Sequence, residues 1–142
     1  MISKDELMAL AGETGLRPGV VEKDYVLGWL LAAINANAAL ASSWVFKGGT
    51  CLKKCYFETY RFSEDLDFTL TDVAHLDETF LIEQFTSLAE WIYEACGIDI
   101  PADRLKFDIY ENPRGHISCE GRVYYQSHFS KGKKNLPKIK FD

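Results

Sequence analysis

The residues with the clearest chemical potential lie between positions 46 and 70, in "FKGGTCLKKCYFETYRFSEDLDFTL". Asp65 and Asp67 sit two positions apart in a run that otherwise reads as a strand. Alternate residues of a strand share a face, so Asp65, Asp67 and Thr69 are expected on one side and Leu66, Phe68 and Leu70 in the core. The two carboxylates would then stand with Cα atoms about 6.5–7 Å apart. Like charges at that spacing repel unless a cation lies between them, and a hard divalent ion with oxygen ligands, magnesium first, is the usual solution. Upstream, Gly48 and Gly49 read as a tight turn through which the backbone can approach a ligand. The helix expected to open at Thr50 offers unpaired amides and the positive end of a dipole, both favourable to phosphate. A phosphate-binding turn beside a metal-binding strand describes a nucleotide site, and Lys47, Lys53 and Arg61 are near enough in sequence to lend charge to a triphosphate. Each half has a plainer explanation, a solvated acidic strand edge or a simple strand-to-helix turn. Their adjacency is what favours the site.

These residues need elements to hold them. Ser3 followed by Glu6 is a capping-box start for a helix ending near Gly15, and Pro18 suits the first turn of a second. Along that second helix Val20, Leu27, Leu30, Leu31 and Ile34 make an apolar stripe, with Lys23 inside it and Asp24 at its border. The pair is read either as an internal salt bridge or as part of a face that looks into a polar site. "WVFK", 44–47, reads as a short strand, 50–57 as a helix and "DLDFTL" as the next strand. Asp77 or a neighbour opens a long amphipathic helix carried by Leu81, Phe85, Leu88 and Ile92 and closed by Gly97. The pattern then turns to period two, at Leu105, Phe107 and Ile109, then Ile117, Cys119, Val123 and Tyr125, then Ile139 and Phe141. The expected fold class is α+β, a mixed, mostly antiparallel sheet flanked by helices.

The 142 residues, 47% hydrophobic and 13% aromatic, suffice for one domain with a real core. We divide it into a helical N-terminal segment, 1–40, and a core, 44–142. A net charge of -5 argues against a broad nucleic-acid surface. Local basic clusters at Lys53–Lys54, at Lys131, Lys133 and Lys134, and at Lys138 and Lys140 still permit contact with RNA. No secretion signal is evident, and the longest apolar run, 26–40, is interrupted by Asn35 and Asn37, so a cytoplasmic protein without membrane association is expected. Its cysteines then read as reduced thiols, Cys51 and Cys55 lying at i, i+4. His75, His116 and His128 have no mutual spacing that suggests a metal site.

"EKDYVL" (22–27), "FKGGTCL" (46–52) and "RFSEDLDF" (61–68) together resemble the AbiEii/AbiGii toxin family of nucleotidyltransferases, within the polymerase-beta-like superfamily. The resemblance implies Gly48, Gly49 and Thr50 around nucleotide phosphates, with Lys47, Arg61, Ser63, Lys23 and Asp24 in the nucleotide site. It implies Asp65 and Asp67 as magnesium ligands and a third carboxylate on a later strand. "LKFD", 105–108, and "IKFD", 139–142, both offer one, and chain order favours Asp142 over Asp108. The implied activity is magnesium-dependent transfer of a nucleoside monophosphate from a nucleoside triphosphate to a hydroxyl acceptor, tRNA or another RNA being one such acceptor. The implied role is the toxin of an abortive-infection or toxin–antitoxin system with a cognate antitoxin. Family members continue into a C-terminal helical region with no counterpart here, so the chain reads as truncated, and its final edge strand would offer pairing to a second copy in a homodimer. A nucleotide-binding or protein-interaction domain without turnover remains the alternative.

Overall fold

The computed structural model describes residues 1–48, 65–130 and 136–141, the last two by their backbone alone. Local signals set the helix ends. Helix α1 (Lys4–Thr14) opens on the expected box: the Ser3 hydroxyl accepts the Glu6 amide at 3.2 Å and the Ser3 amide donates to the Glu6 carboxylate at 3.1 Å. It closes on Gly15, whose φ of 71° is one that glycine adopts without strain. Helix α2 (Pro18–Ala36) begins on the rigid φ of Pro18. Asn37 ends α2 and caps the single turn α3 (Ala38–Ala41), its side-chain oxygen accepting from the Ala39 and Leu40 amides. Strands β1 (Trp44–Lys47) and β2 (Asp67–Leu70) follow, then the long helix α4 (Glu78–Cys96). Asp77 caps α4 by accepting the Phe80 amide at 2.9 Å, and Gly97 closes it at φ 79°. Strands β3 (Lys106–Glu111), β4 (Ile117–Tyr124) and β5 (Lys138–Phe141) complete the order.

The α+β class is as expected, and every strand pairing among the described residues is antiparallel. The arrangement differs in one respect from the single sheet anticipated: β1 and β2 form one two-stranded ribbon, while β3, β4 and β5, in that order, form a separate sheet. Helix α4 joins them. Its fully buried Phe85 has its ring 5.9 Å from that of Trp44 in β1 and 4.9 Å from that of Phe107 in β3, so one aromatic ring carries the core from sheet to sheet. The stripe foreseen on α4 is buried at Leu81, Phe85, Leu88 and Ile92 and packs against Val26, Leu27, Leu30 and Ile34 of α2. Leu66, Phe68, Val123 and Ile139 add the strand contribution. Replacing Phe85 by Ala should lower stability by about 3–5 kcal/mol, since the cavity would open where both sheets meet. Urea unfolding followed by circular dichroism reads that loss.

On α2 the buried positions are Glu22, Val26, Leu27, Leu30, Ala33 and Ile34, whereas Val20 and Leu31 are half-buried. The stripe is thus rotated from the anticipated one, and the charged residue inside it is Glu22, not Lys23. Among the described residues no helix is long and apolar enough to cross a membrane. Cys96 and Cys119 are half-buried, and Cys51 and Cys55 lie outside the described residues.

Candidate functional site

Antiparallel pairing places Lys47 opposite Asp67, Phe46 opposite Phe68, Val45 opposite Thr69 and Trp44 opposite Leu70. Directly opposed residues share a face, so the ribbon has two unlike sides. The core side carries Phe68, with ring centroids 5.4 Å from Phe46 and 5.2 Å from Trp44. The outer side carries Lys47, Val45 and Thr69, all exposed, with Asp65 exposed and Asp67 half-buried. Leu66 and Phe68 are buried between them in sequence, as the period-two reading requires. An aspartate pair and a lysine therefore project from one surface at the end of the ribbon where β1 runs into its glycines.

Gly48, the first of those glycines, has φ 81°. A Cβ atom added there would stand 3.0 Å from Asp67 Cγ and 3.1 Å from Asp67 Cβ, with the carboxylate oxygen Oδ2 closer still. The Asp67 carboxylate thus occupies the space that any other residue at position 48 would claim. Glycine is required twice here, for its backbone angle and for the room it leaves. Two motifs adjacent in the sequence are in direct contact in the fold. The donors are hard oxygens, one of them half-buried in a cradle that a Cβ would fill, a setting that fits a magnesium-type cation at Asp65 and Asp67.

Several anticipated residues are not gathered there. Asp108 is half-exposed on β3, with its carboxylate 3.9 Å from Arg122 Nη1 and 4.0 Å from Lys106 Nζ, and Arg122 also pairs with Glu120 at 3.1 Å. Register explains that cluster, because β3 and β4 set Asp108 opposite Glu120 and Lys106 opposite Arg122. Among the described residues no three metal-ligating side chains come together, so Asp108 does not join Asp65 and Asp67. Gly49, Thr50, Lys53, Arg61, Ser63 and Asp142 lie outside the described residues. Lys23 and Asp24 are half-buried on α2, Asp24 bordering a shallow hollow with Tyr25, Gly28 and Trp29.

Sequence reasoning passed over Glu22. It is 1% exposed, and its two carboxylate oxygens are both used: one accepts the Ser127 hydroxyl proton, the other the His128 backbone amide at 2.9 Å. These bonds pin the connection between β4 and β5 onto α2. The signal was present, since Glu22, Val26 and Leu30 recur at i, i+4, i+8, but including the half-buried Val20 and Leu31 in the stripe turned the wheel away from it. Substituting Glu22 by Ala should cost about 2–3 kcal/mol, because the buried Ser127 hydroxyl and the part-buried His128 amide lose their acceptor. A thermal melt should place Glu22→Gln between that variant and wild type, as the amide keeps an accepting oxygen.

The three histidines stand in separate places. His75 is buried, accepts the Trp44 indole N–H at its Nδ1 (3.2 Å) and stacks on Phe80 with centroids 4.4 Å apart, fastening β1 to the turn before α4. His128 Nε2 meets the Ile2 carbonyl at 2.8 Å, and His116 sits in the β3–β4 hairpin. Between that hairpin and the β1–β2 ribbon lies a cleft of about 480 Å³. It is lined by Trp44, Lys47, Phe68 and Thr69 of the ribbon and by Phe107, Asn112, His116 and Ser118 of the strand pair.

The fold and this end of the ribbon define a nucleotidyltransferase-like α+β domain. Its architecture is similar to that of MenT4, a nucleotidyltransferase toxin from Mycobacterium tuberculosis H37Rv, with a TM-score of 0.50 and 20% sequence identity over 99% of this chain and 44% of that one. The chain therefore spans less than half the length of that structure. It belongs to the nucleotidyl transferase AbiEii toxin family of type IV toxin–antitoxin systems, whose family model matches residues 29–142. "FKGGTCL" and "RFSEDLDF" lie within the match and "EKDYVL" precedes it. No curated protein matches the chain.

Proposed function

We propose that the protein transfers a nucleoside monophosphate from a nucleoside triphosphate to a hydroxyl acceptor and acts as the toxin of a type IV toxin–antitoxin pair. The observation that carries this reading is the contact between Gly48 and the Asp67 carboxylate with Lys47 opposite, which joins a phosphate-type turn to an acidic pair. Asp65 and Asp67 would hold magnesium, with Asp142 as third carboxylate. Bound there, the ion would neutralise charge on the phosphates and on the oxygens entering and leaving phosphorus.

The remaining work falls to the chain. Lys47 supplies a point charge to the triphosphate, and the amides from Gly48 to Thr50, with the Thr50 hydroxyl, hold its outer phosphates so that the α-phosphate is presented in line. Arg61, Ser63, Lys23 and Asp24 complete the nucleotide site. Asp142 takes the proton of the attacking hydroxyl as a new P–O bond forms; the bond to the bridging oxygen breaks, and pyrophosphate leaves with that electron pair. The acceptor is an RNA, tRNA among the candidates, and the protein partner is the cognate antitoxin. The setting is cytoplasmic and away from membranes. Among the described strands β5 has a neighbour on one side only, so a second copy would extend the sheet into a homodimer, and light scattering should return twice the chain mass.

Calorimetric titration of the four nucleoside triphosphates, with magnesium and with excess chelator, tests the core of this reading. Saturable binding that disappears with chelator is the expected result. Binding indifferent to the chelator would remove the metal from the proposal, and no binding to folded protein would remove the nucleotide.

A further inference from the structure

We propose that the bond between Trp44 and His75 is a proton-operated clasp, which ties the β1–β2 ribbon to the turn before α4 only while the His75 ring is neutral. The inference concerns how the ribbon is held, and it stands whether or not a nucleotide binds beside Gly48. An indole N–H can only donate. The nitrogen that meets it, His75 Nδ1 at 3.2 Å, is therefore the bare nitrogen of a neutral imidazole, and the ring proton lies on Nε2. The surroundings suit that tautomer, because the Asp72 carboxylate oxygen Oδ2 stands 3.6 Å from Nε2. Asp72 is itself held in place: its other oxygen accepts the Ala74 amide at 2.9 Å and caps the short turn Val73–His75. Phe80 lies against the ring with centroids 4.4 Å apart and planes 18° from parallel, so the imidazole is gripped at both nitrogens and on one face.

A second proton has to go to Nδ1, since Nε2 already carries one. Both nitrogens then donate, and Nδ1–H faces the indole N–H, donor against donor. The two partners of the ring respond in opposite ways. Asp72 gains an ion pair and keeps the ring where it is, while Trp44 loses its acceptor. The elements packed on His75 bring no charge to offset this: β1 meets it with the Trp44 indole and α4 with the Phe80 ring, and the charged group beside it is Asp72 of its own turn. Trp44 is left with its strand pairing to Leu70 and its packing on Phe68 and Phe85. Protonation therefore loosens the ribbon at the end away from Gly48.

The test follows the imidazole nitrogen resonances, the ribbon amides and hydrogen exchange at the Trp44 indole between about pH 8 and pH 5, the span in which histidines ordinarily change charge. It compares wild type with His75→Asn and Trp44→Phe. At the upper end His75 Nδ1 should resonate as a bare nitrogen and Nε2 as a protonated one. As His75 charges, protection of the Trp44 indole, corrected for the intrinsic pH dependence of exchange, should fall roughly tenfold, the value of one hydrogen bond. The amides of Val45, Phe46 and Thr69 should shift in step. In His75→Asn the side-chain oxygen offers an acceptor that does not titrate, so indole protection should stay level. In Trp44→Phe, His75 should charge with the ribbon amides unmoved. A proton on Nδ1 at the upper end, or indole protection unchanged while His75 charges, would overturn the clasp. An equal fall in His75→Asn would also overturn it, by assigning the change to another group.

Discussion

Replacing Asp67 by Ala is expected to reduce nucleotidyl transfer by at least about a thousandfold, equivalent to about 4 kcal/mol of transition-state stabilisation, while the protein stays folded. Asp67 is the member of the acidic pair that is half-buried, opposes Lys47 and fills the hollow left by Gly48. On the proposed reading its loss removes a hard oxygen ligand beside the charge of the bound triphosphate. Asp67→Asn is the sharper variant, because it keeps the shape and discards the charge. If charge is what matters, Asn should be nearly as inactive as Ala, magnesium-dependent nucleotide binding should vanish from calorimetry, and the melting temperature should move little. Asp65, exposed two residues before β2, should give a smaller loss when replaced alone. An Asp67→Asn protein with unaltered magnesium-dependent binding would mean that the acidic pair is only a solvated strand face.

Gly48→Ala should be nearly as damaging, for a steric reason. The backbone at φ 81° already disfavours alanine by about 1–2 kcal/mol, and the new methyl group would lie against the Asp67 carboxylate. Either the turn or Asp67 must shift, and a displacement on the order of 1 Å in a positioned group can cost about a hundredfold in rate. Gly48→Asn separates the two effects. Asparagine tolerates left-handed backbone better than alanine but carries the same Cβ, so its melting temperature should recover while its activity should not. Equal recovery of both would assign the glycine to backbone conformation alone.

The parts of this molecule that were readable in advance are those set by neighbours in sequence. Ser3 with Glu6, Gly15, Asp77 and Gly97 bound their helices as anticipated, because a cap is a contract among residues within one turn. The two faces of β2 were readable for the same reason, since the alternation of Asp65, Leu66, Asp67 and Phe68 is fixed by the pleat. Three features were not readable. The separation of the strands into two sheets depends on where α4 lays Phe85, a contact between distant segments. Glu22 was missed because a helix rich in apolar residues on several sides leaves the angle of its buried face undetermined until a partner is known. Pattern alone does not separate Asp108 from Asp142, since "LKFD" and "IKFD" read alike; the family's chain order favoured Asp142, which lies outside the described residues. Only the pairing of Asp108 with Arg122 and Lys106 shows how the former is engaged.

The Glu22 anchor also bears on the order in which the molecule assembles. It joins residues 105 and 106 positions apart, and through them fixes the connection that leads into β5. Closing so long a loop is entropically expensive and comes late along a folding route, whereas the helical pairs α1–α2 and α2–α3 form from nearby segments. Weakening the anchor should therefore leave the folding rate almost unchanged and quicken unfolding, with the stability loss appearing almost wholly in one arm of the chevron. A single buried carboxylate would then act as a latch on the lifetime of the native state.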